Sequence, residues 1–194
     1  LGQLVLGTEL GAQQHDYVEK LLRSARTLLR LVNDLLDTAR LEAGQMEFED
    51  LPYALDGLLA DLDDLRTAAS GDREVAVGFH VAREVPGKLS GDRLRLGQCL
   101  RNLLGNAIKF TRAGRVDLRV EVAGGDDRPM LRFVVEDTGI GIAREALPRL
   151  FAPFSQADAS TTRRFGGSGL GLYISRELVR GMGGELAVDS TPGQ

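Results

Sequence analysis

DRLRLGQCLRNLLGNAIKF, Asp92 to Phe110, reads as a single helix with Asp92 at its N-cap and two faces of opposite character. Leu94, Leu100, Leu103, Leu104 and Ile108 form the apolar side. Arg95, Gln98, Asn102, Asn106 and Lys109 follow at steps of three, four, four and three residues, one continuous polar stripe. Directly afterwards Val116, Leu118, Val120 and Val122 alternate with Asp117, Arg119 and Glu121, the pattern of a half-buried antiparallel strand. Met130–Glu136 supplies its partner across a polar loop of Gly124, Gly125, Asp126 and Asp127. A helix feeding such a pair predicts helices laid on one face of an antiparallel sheet, an α+β arrangement.

Upstream, Glu74–Val81 reads as a further strand and Leu55–Ala69 as a helix. Gly44 ends an earlier element of a different kind, so a domain boundary is expected at Gly44 to Gln45, giving residues 1–44 and 45–194. From Gln13 to Ala43 there is neither Pro nor Gly, and Leu21, Leu28 and Leu35 fall seven apart, with Ala25, Val32 and Ala39 offset by four. Leu22, Leu29 and Leu36 widen that stripe, while Arg23, Arg26, Arg30, Asp34 and Arg40 occupy other faces. A stripe so wide needs more than one neighbouring helix. Leu1–Leu10 with a turn at Gly11 reads as the end of a preceding antiparallel helix, so the hairpin is expected to be completed by a second copy in a four-helix bundle.

Three segments downstream carry chemistry. Asp137-Thr138-Gly139-Ile140-Gly141 follows a strand, where two glycines let backbone approach a flat ligand; by itself it reads more readily as a strand-end turn in which Asp caps a helix. A carboxylate only accepts, so it suits the exocyclic amine of adenine and disfavours guanine's carbonyl. Phe151-Ala152-Pro153-Phe154 stands before an aperiodic stretch, Ser155–Gly167, read as a mobile loop whose entrance the two aromatics anchor against the core. Gly166-Gly167-Ser168-Gly169-Leu170-Gly171 opens a helix, Gly169–Met182, with Arg163 and Arg164 just before it, an arrangement suited to phosphate oxygens at a helix start. A short strand, Glu185–Ser190, is expected to close the sheet. The amides and ammonium of the Asp92–Phe110 stripe suit a metal-bound triphosphate, though the stripe alone reads equally as a solvated face.

Bulk properties narrow the field. Of 194 residues 43% are hydrophobic and 27% charged, which argues against disorder, and a net charge of -4 leaves no basic footprint for nucleic acid. Cys99, the single cysteine, lies in an apolar helical run and reads as packing in a reducing compartment. No stretch has the roughly 20 apolar residues of a membrane helix, so the expected location is cytoplasmic. The lack of an initiator Met at Leu1 points to a piece of a longer chain, which leaves room for a membrane anchor beyond these ends.

Taken in order, Asn102-Leu-Leu-Gly-Asn106-Ala-Ile-Lys109-Phe110, Asp137-Thr-Gly-Ile-Gly141, Phe151-Ala-Pro-Phe154 and Gly167-Ser-Gly169-Leu-Gly171-Leu resemble the N, G1, F and G2 boxes of sensor histidine kinases. Leu29–Gly44 is similar to the second hairpin helix of the same family, especially its hybrid members. The resemblance implies a two-layer α+β sandwich of the GHKL ATPase type, helices on one face of a mixed, mainly antiparallel sheet, preceded by a dimerising hairpin. It implies ATP and Mg²⁺ as cofactors, with Asn106 the principal metal ligand, Asn102 a metal or phosphate contact, Lys109 a phosphate contact and Asp137 the adenine reader. Gly139, Gly141, Phe154, Gly167, Ser168, Gly169, Leu170 and Gly171 would line the nucleotide, and Arg163 or Arg164 would reach the terminal phosphate. The implied activity moves the γ-phosphoryl of ATP to a histidine of the hairpin and on to an aspartate of a response-regulator receiver domain.

Two departures accompany the resemblance. The phosphate-accepting histidine segment is expected upstream of Leu1, so this chain alone is not expected to autophosphorylate, and His15 and His80 read as structural. The family's final sheet strand is expected beyond Gln194. Two alternatives stand beside the kinase: an ATPase of the gyrase, mismatch-repair or chaperone type, against which the Leu28–Gly44 helix argues, and a non-catalytic signalling partner acting by hetero-association.

Overall fold

The computed structural model describes residues 2–8, 10–69, 74–124, 130–155 and 169–192, and the chain divides into two units, Leu1–Met46 and Glu47–Gln194. In the first, α1 (Gly2–Leu6) precedes α2 (Ala12–Glu42). The backbone N–H of Gly11 donates to Gln14 Oε1 at 3.0 Å where α2 starts. At its end Gln45 N–H reaches back to Arg40 O (2.9 Å) and Gly44 N–H to Leu41 O (3.1 Å), the paired bonds of a Schellman ending. The apolar stripe of α2 is uncovered within its unit: Leu21, Leu28 and Leu35 are 66%, 63% and 57% exposed.

The second unit comprises β1 (Leu51–Ala54), α3 (Leu55–Ala60), α4 (Asp63–Ala69), β2 (Glu74–Val81), β3 (Lys88–Gly91), α5 (Arg93–Phe110), β4 (Ala113–Ala123), β5 (Met130–Asp137) and α6 (Gly171–Gly181). β4 is the centre of a three-stranded sheet. It pairs antiparallel with β5, Val116 opposite Asp137 and Ala123 opposite Met130, as the alternation predicts. Its other neighbour is β2, and that ladder is parallel, from Glu74↔Ala113 to Val81↔Val120. The connection between β2 and β4 contains α5, and a crossover through a helix returns the chain in the same direction, so the sheet is mixed. Val116, Leu118 and Val120 are buried against Leu58, Leu62, Leu100 and Leu104 to make the core.

Three local readings differ from the structure. The helix expected over Leu55–Ala69 is broken at Asp61–Leu62 into α3 and α4. Arginines of α5 take the carbonyls at this break, Arg93 Nη2 donating to Gly57 O (3.1 Å) and Arg101 Nη2 to Asp61 O, while Leu62 drops into the core. β1, which the sequence reading lacks, forms a two-stranded antiparallel sheet with β3; Pro52 within it is tolerated on an edge. Residues 185–190 make no strand among the described residues. At the end of the run Ser190 Oγ accepts from Ile142 N–H at 2.9 Å, which brings that end to the 139–142 turn.

Candidate functional site

α5 is fixed at its start by Asp92, a buried carboxylate that accepts from Arg95 N–H (2.9 Å) and Glu49 N–H (3.2 Å). That satisfies a helix-end donor and ties the helix to the segment before β1. Its apolar side packs inward through Cys99, Leu100, Leu104 and Ala107. Leu94 is not part of it: in the first turn it is 74% exposed.

The polar stripe is divided by its partners. Arg95 Nη1 donates to Gln98 Oε1 at 3.0 Å, so the first two members bond to each other. Asn102 belongs to the junction with α6: Nδ2 donates to Ser175 Oγ at 3.0 Å, and Oδ1 lies where a side chain on Gly171 would have to sit. Asn106 follows one turn on, half-buried, and Lys109 Nζ lies 4.9 Å from the Phe110 ring centroid.

The Asp137–Gly141 turn sits at the other end of the same helix. Asp137 is exposed, and its Oδ1 accepts from Gly139 N–H at 2.9 Å, which leaves acceptor capacity on a group with two oxygens. Gly139 approaches α5 so closely that a Cβ there would come within 2.9 Å of Phe110 O. Thr138 holds the turn to the start of β4, its Oγ1 accepting from Arg115 N–H at 3.0 Å. On its far side Gly141 lies against Thr191 O.

α6 starts at Gly171, two residues later than expected, because Gly169 adopts φ +69, a left-handed conformation outside the helix. A Cβ on Gly169 would stand 2.9 Å from Phe154 C and 3.0 Å from Ser155 O, so the backbone before the helix meets the end of the Phe151–Phe154 segment. Leu170 is buried at this start. The aromatic pair does not act as a pair. Phe151 is half-buried under Arg176, whose guanidinium lies 5.7 Å from the ring centroid, whereas Phe154 is 66% exposed and carries φ +58. Only Phe151 anchors to the fold.

Arg163, Arg164, Gly167, Ser168 and nearly all of the Ser155–Gly167 loop lie outside the described residues. Among the described residues no three His, Cys, Asp or Glu side chains cluster as metal ligands. His15 lies 3.8 Å from Glu19, and His80 Nε2 3.1 Å from Asp117 Oδ1, both at exposed positions. Cys99 is buried, its Sγ 3.7 Å from Ser175 O, and burial, above all, pushes its thiol up to about 12. It packs and takes no part in nucleophilic chemistry.

The sequence reading passed over Ser175. Its signal is a small polar residue between Ile174 and Leu178 on the buried side of an amphipathic helix, interpretable only once the facing amide is known.

Residues 91–194 match the family described as histidine kinase-, DNA gyrase B-, and HSP90-like ATPase, and residues 2–44 match the His Kinase A (phospho-acceptor) domain. The chain is similar to the signal transduction histidine-protein kinase BarA of Escherichia coli, 42% identical over 191 residues, and to the sensor protein GacS of Pseudomonas syringae pv. syringae, 42% identical over 192 residues. Each match covers 98% of this chain and 21% of the relative, so the chain spans about a fifth of those proteins' length. Among solved structures it resembles full-length ShkA in complex with AMPPNP, with a TM-score of 0.73 and 37% identity, covering 94% of this chain and 37% of that one.

Proposed function

The chain belongs to the histidine kinase-, DNA gyrase B-, and HSP90-like ATPase family, and on that premise we propose that it is the ATP-binding catalytic core of a sensor histidine kinase. One observation carries the site assignment. The Asp137–Gly141 turn at one end of α5 and the start of α6 beside Asn102 both come close enough to exclude a Cβ, at Gly139 and Gly171, so two separate segments converge on one helix.

In this reading Asp137 accepts from the adenine amine, and Gly139 and Gly141 let the base lie against the backbone. Lys109 contacts phosphates, as do Gly167, Ser168, Gly169, Leu170 and Gly171 around the α6 start, with Phe154 beside them. Arg163 or Arg164 meets the terminal phosphate. The donor set fits Mg²⁺: among the described residues there is no carboxylate cage, and a hard cation that keeps waters and phosphate oxygens needs only an amide oxygen or two from protein, supplied by Asn106 and Asn102. When bound, Mg²⁺ neutralises charge on the phosphate oxygens. The chain's own part is to hold the triphosphate in line for a histidine nucleophile, since positioning and charge dominate phosphoryl transfer.

The partners proposed are a second copy of the hairpin, on the strength of α2's uncovered stripe, and a response-regulator receiver domain. No described helix is long and apolar enough to cross a membrane. Calorimetric titration with a slowly hydrolysed ATP analogue, with and without Mg²⁺ and beside its GTP counterpart, tests the site. Binding is expected to require Mg²⁺ and adenine, and Asp137→Asn to weaken it by about 30-fold, roughly 2 kcal/mol. An unchanged isotherm for Asp137→Asn removes the adenine assignment.

A further inference from the structure

α6 meets α5 at a polar junction in which the nucleotide reading uses Asn102 and Gly171 but gives Ser175 no role. Gly171 and Ser175 stand one turn apart on α6 and face the same side chain, Asn102. Asn102 Nδ2 donates to Ser175 Oγ at 3.0 Å, while Oδ1 occupies the space beside Gly171. Three residues earlier on α5, Cys99 Sγ points to Ser175 O at 3.7 Å. Ser175 is 2% exposed, so bulk water does not compete for its hydroxyl.

A primary amide has two ends of nearly equal shape and opposite hydrogen-bonding character. On a solvated helix face either end could point either way. In the structure the buried Ser175 hydroxyl accepts from Nδ2, which leaves Oδ1 turned to the first turn of α6 beside Gly171. An oxygen held there lies beside the helix end suited to phosphate, where an amide NH₂ would offer no lone pair to a cation.

We propose that Ser175 is a positioning residue for nucleotide binding: its hydroxyl orients the Asn102 amide so that Oδ1, and not Nδ2, is presented at the start of α6. The inference rests on the reading of Asn102 and Gly171 as part of the nucleotide site. It requires that Ser175 act through Asn102 alone.

A double-mutant cycle on the whole chain tests this, reading the affinity for the ATP analogue in Mg²⁺. Ser175→Ala is expected to weaken binding by about tenfold, the size usual when the partner of a ligating group is lost. In an Asn102→Ala background the same change is expected to produce no further loss. Unchanged affinity in Ser175→Ala, or losses that multiply in the double variant, overturns the proposal. Cys99→Ala separates orientation from packing, because it deletes the Sγ contact to Ser175 O without touching the amide. It is expected to lower the melting temperature and leave affinity in place; an equal loss of affinity makes the junction a matter of packing and overturns the proposal too. A wild-type chain that is folded and does not bind the analogue fails at the earlier step, the nucleotide-site reading itself.

Discussion

α2 and α5 are both long amphipathic helices, and they end in opposite circumstances. α5, 18 residues, buries Cys99, Leu100, Leu104 and Ala107 against a sheet and a neighbouring helix of its own unit. α2, 31 residues, buries only Thr38 among its described positions and leaves a leucine stripe open. α5 is capped by a buried aspartate with two backbone partners, whereas at the start of α2 Gly11 offers no side chain and its N–H turns to Gln14. Periodicity shows which face of a helix must be covered. It is silent on whether the cover belongs to the same chain.

Three substitutions bear on this contrast. The largest effect is expected at Leu104, 0% exposed at the centre of the core, where Leu104→Ala should cost about 3–4 kcal/mol in chemical denaturation through lost transfer energy and a cavity. A loss below about 1 kcal/mol would mean that α5 is not the covered helix. Asp92→Ala comes next, at about 1–2 kcal/mol, because it removes a cap and orphans Glu49 N–H as well. The smallest is Leu28→Ala in α2, expected within about 0.5 kcal/mol in samples dilute enough to be monomeric, since the side chain is already in water. Light scattering completes that comparison: concentration-dependent association that Leu28→Ala weakens would locate the missing cover on a second copy, and association indifferent to it would place the interface elsewhere.

Within the second unit, legibility followed the range of the interactions. The N-cap at Asp92, the burial of Val116, Leu118 and Val120 and the antiparallel β4–β5 pair were readable because each depends on neighbours a few residues apart or on strict alternation. The break at Asp61–Leu62 was not, since it is held by Arg93 and Arg101 from a helix some 30 to 40 residues later. Nor was the fate of residues 185–190, which make no strand among the described residues and whose Ser190 Oγ accepts from Ile142 N–H. In the site, the stripe on α5 was visible as spacing, but spacing could not divide it into an internally paired Arg95–Gln98 end, an Asn102 committed to α6 and the Asn106–Lys109 end beyond. Phe154 was read as an anchor from its residue type, and the backbone turns it outward.

The sequence by itself determined the helix and strand faces, the order of the four motifs and the chemistry their side chains can perform, because these follow from residue type and local period. Only the tertiary structure decided that β2 runs parallel to β4, that Gly139 and Gly171 are places where no Cβ fits, and that Ser175 holds Asn102 by its nitrogen. Those are contacts between segments tens of residues apart, and they exist only after the apolar faces have chosen what to pack against.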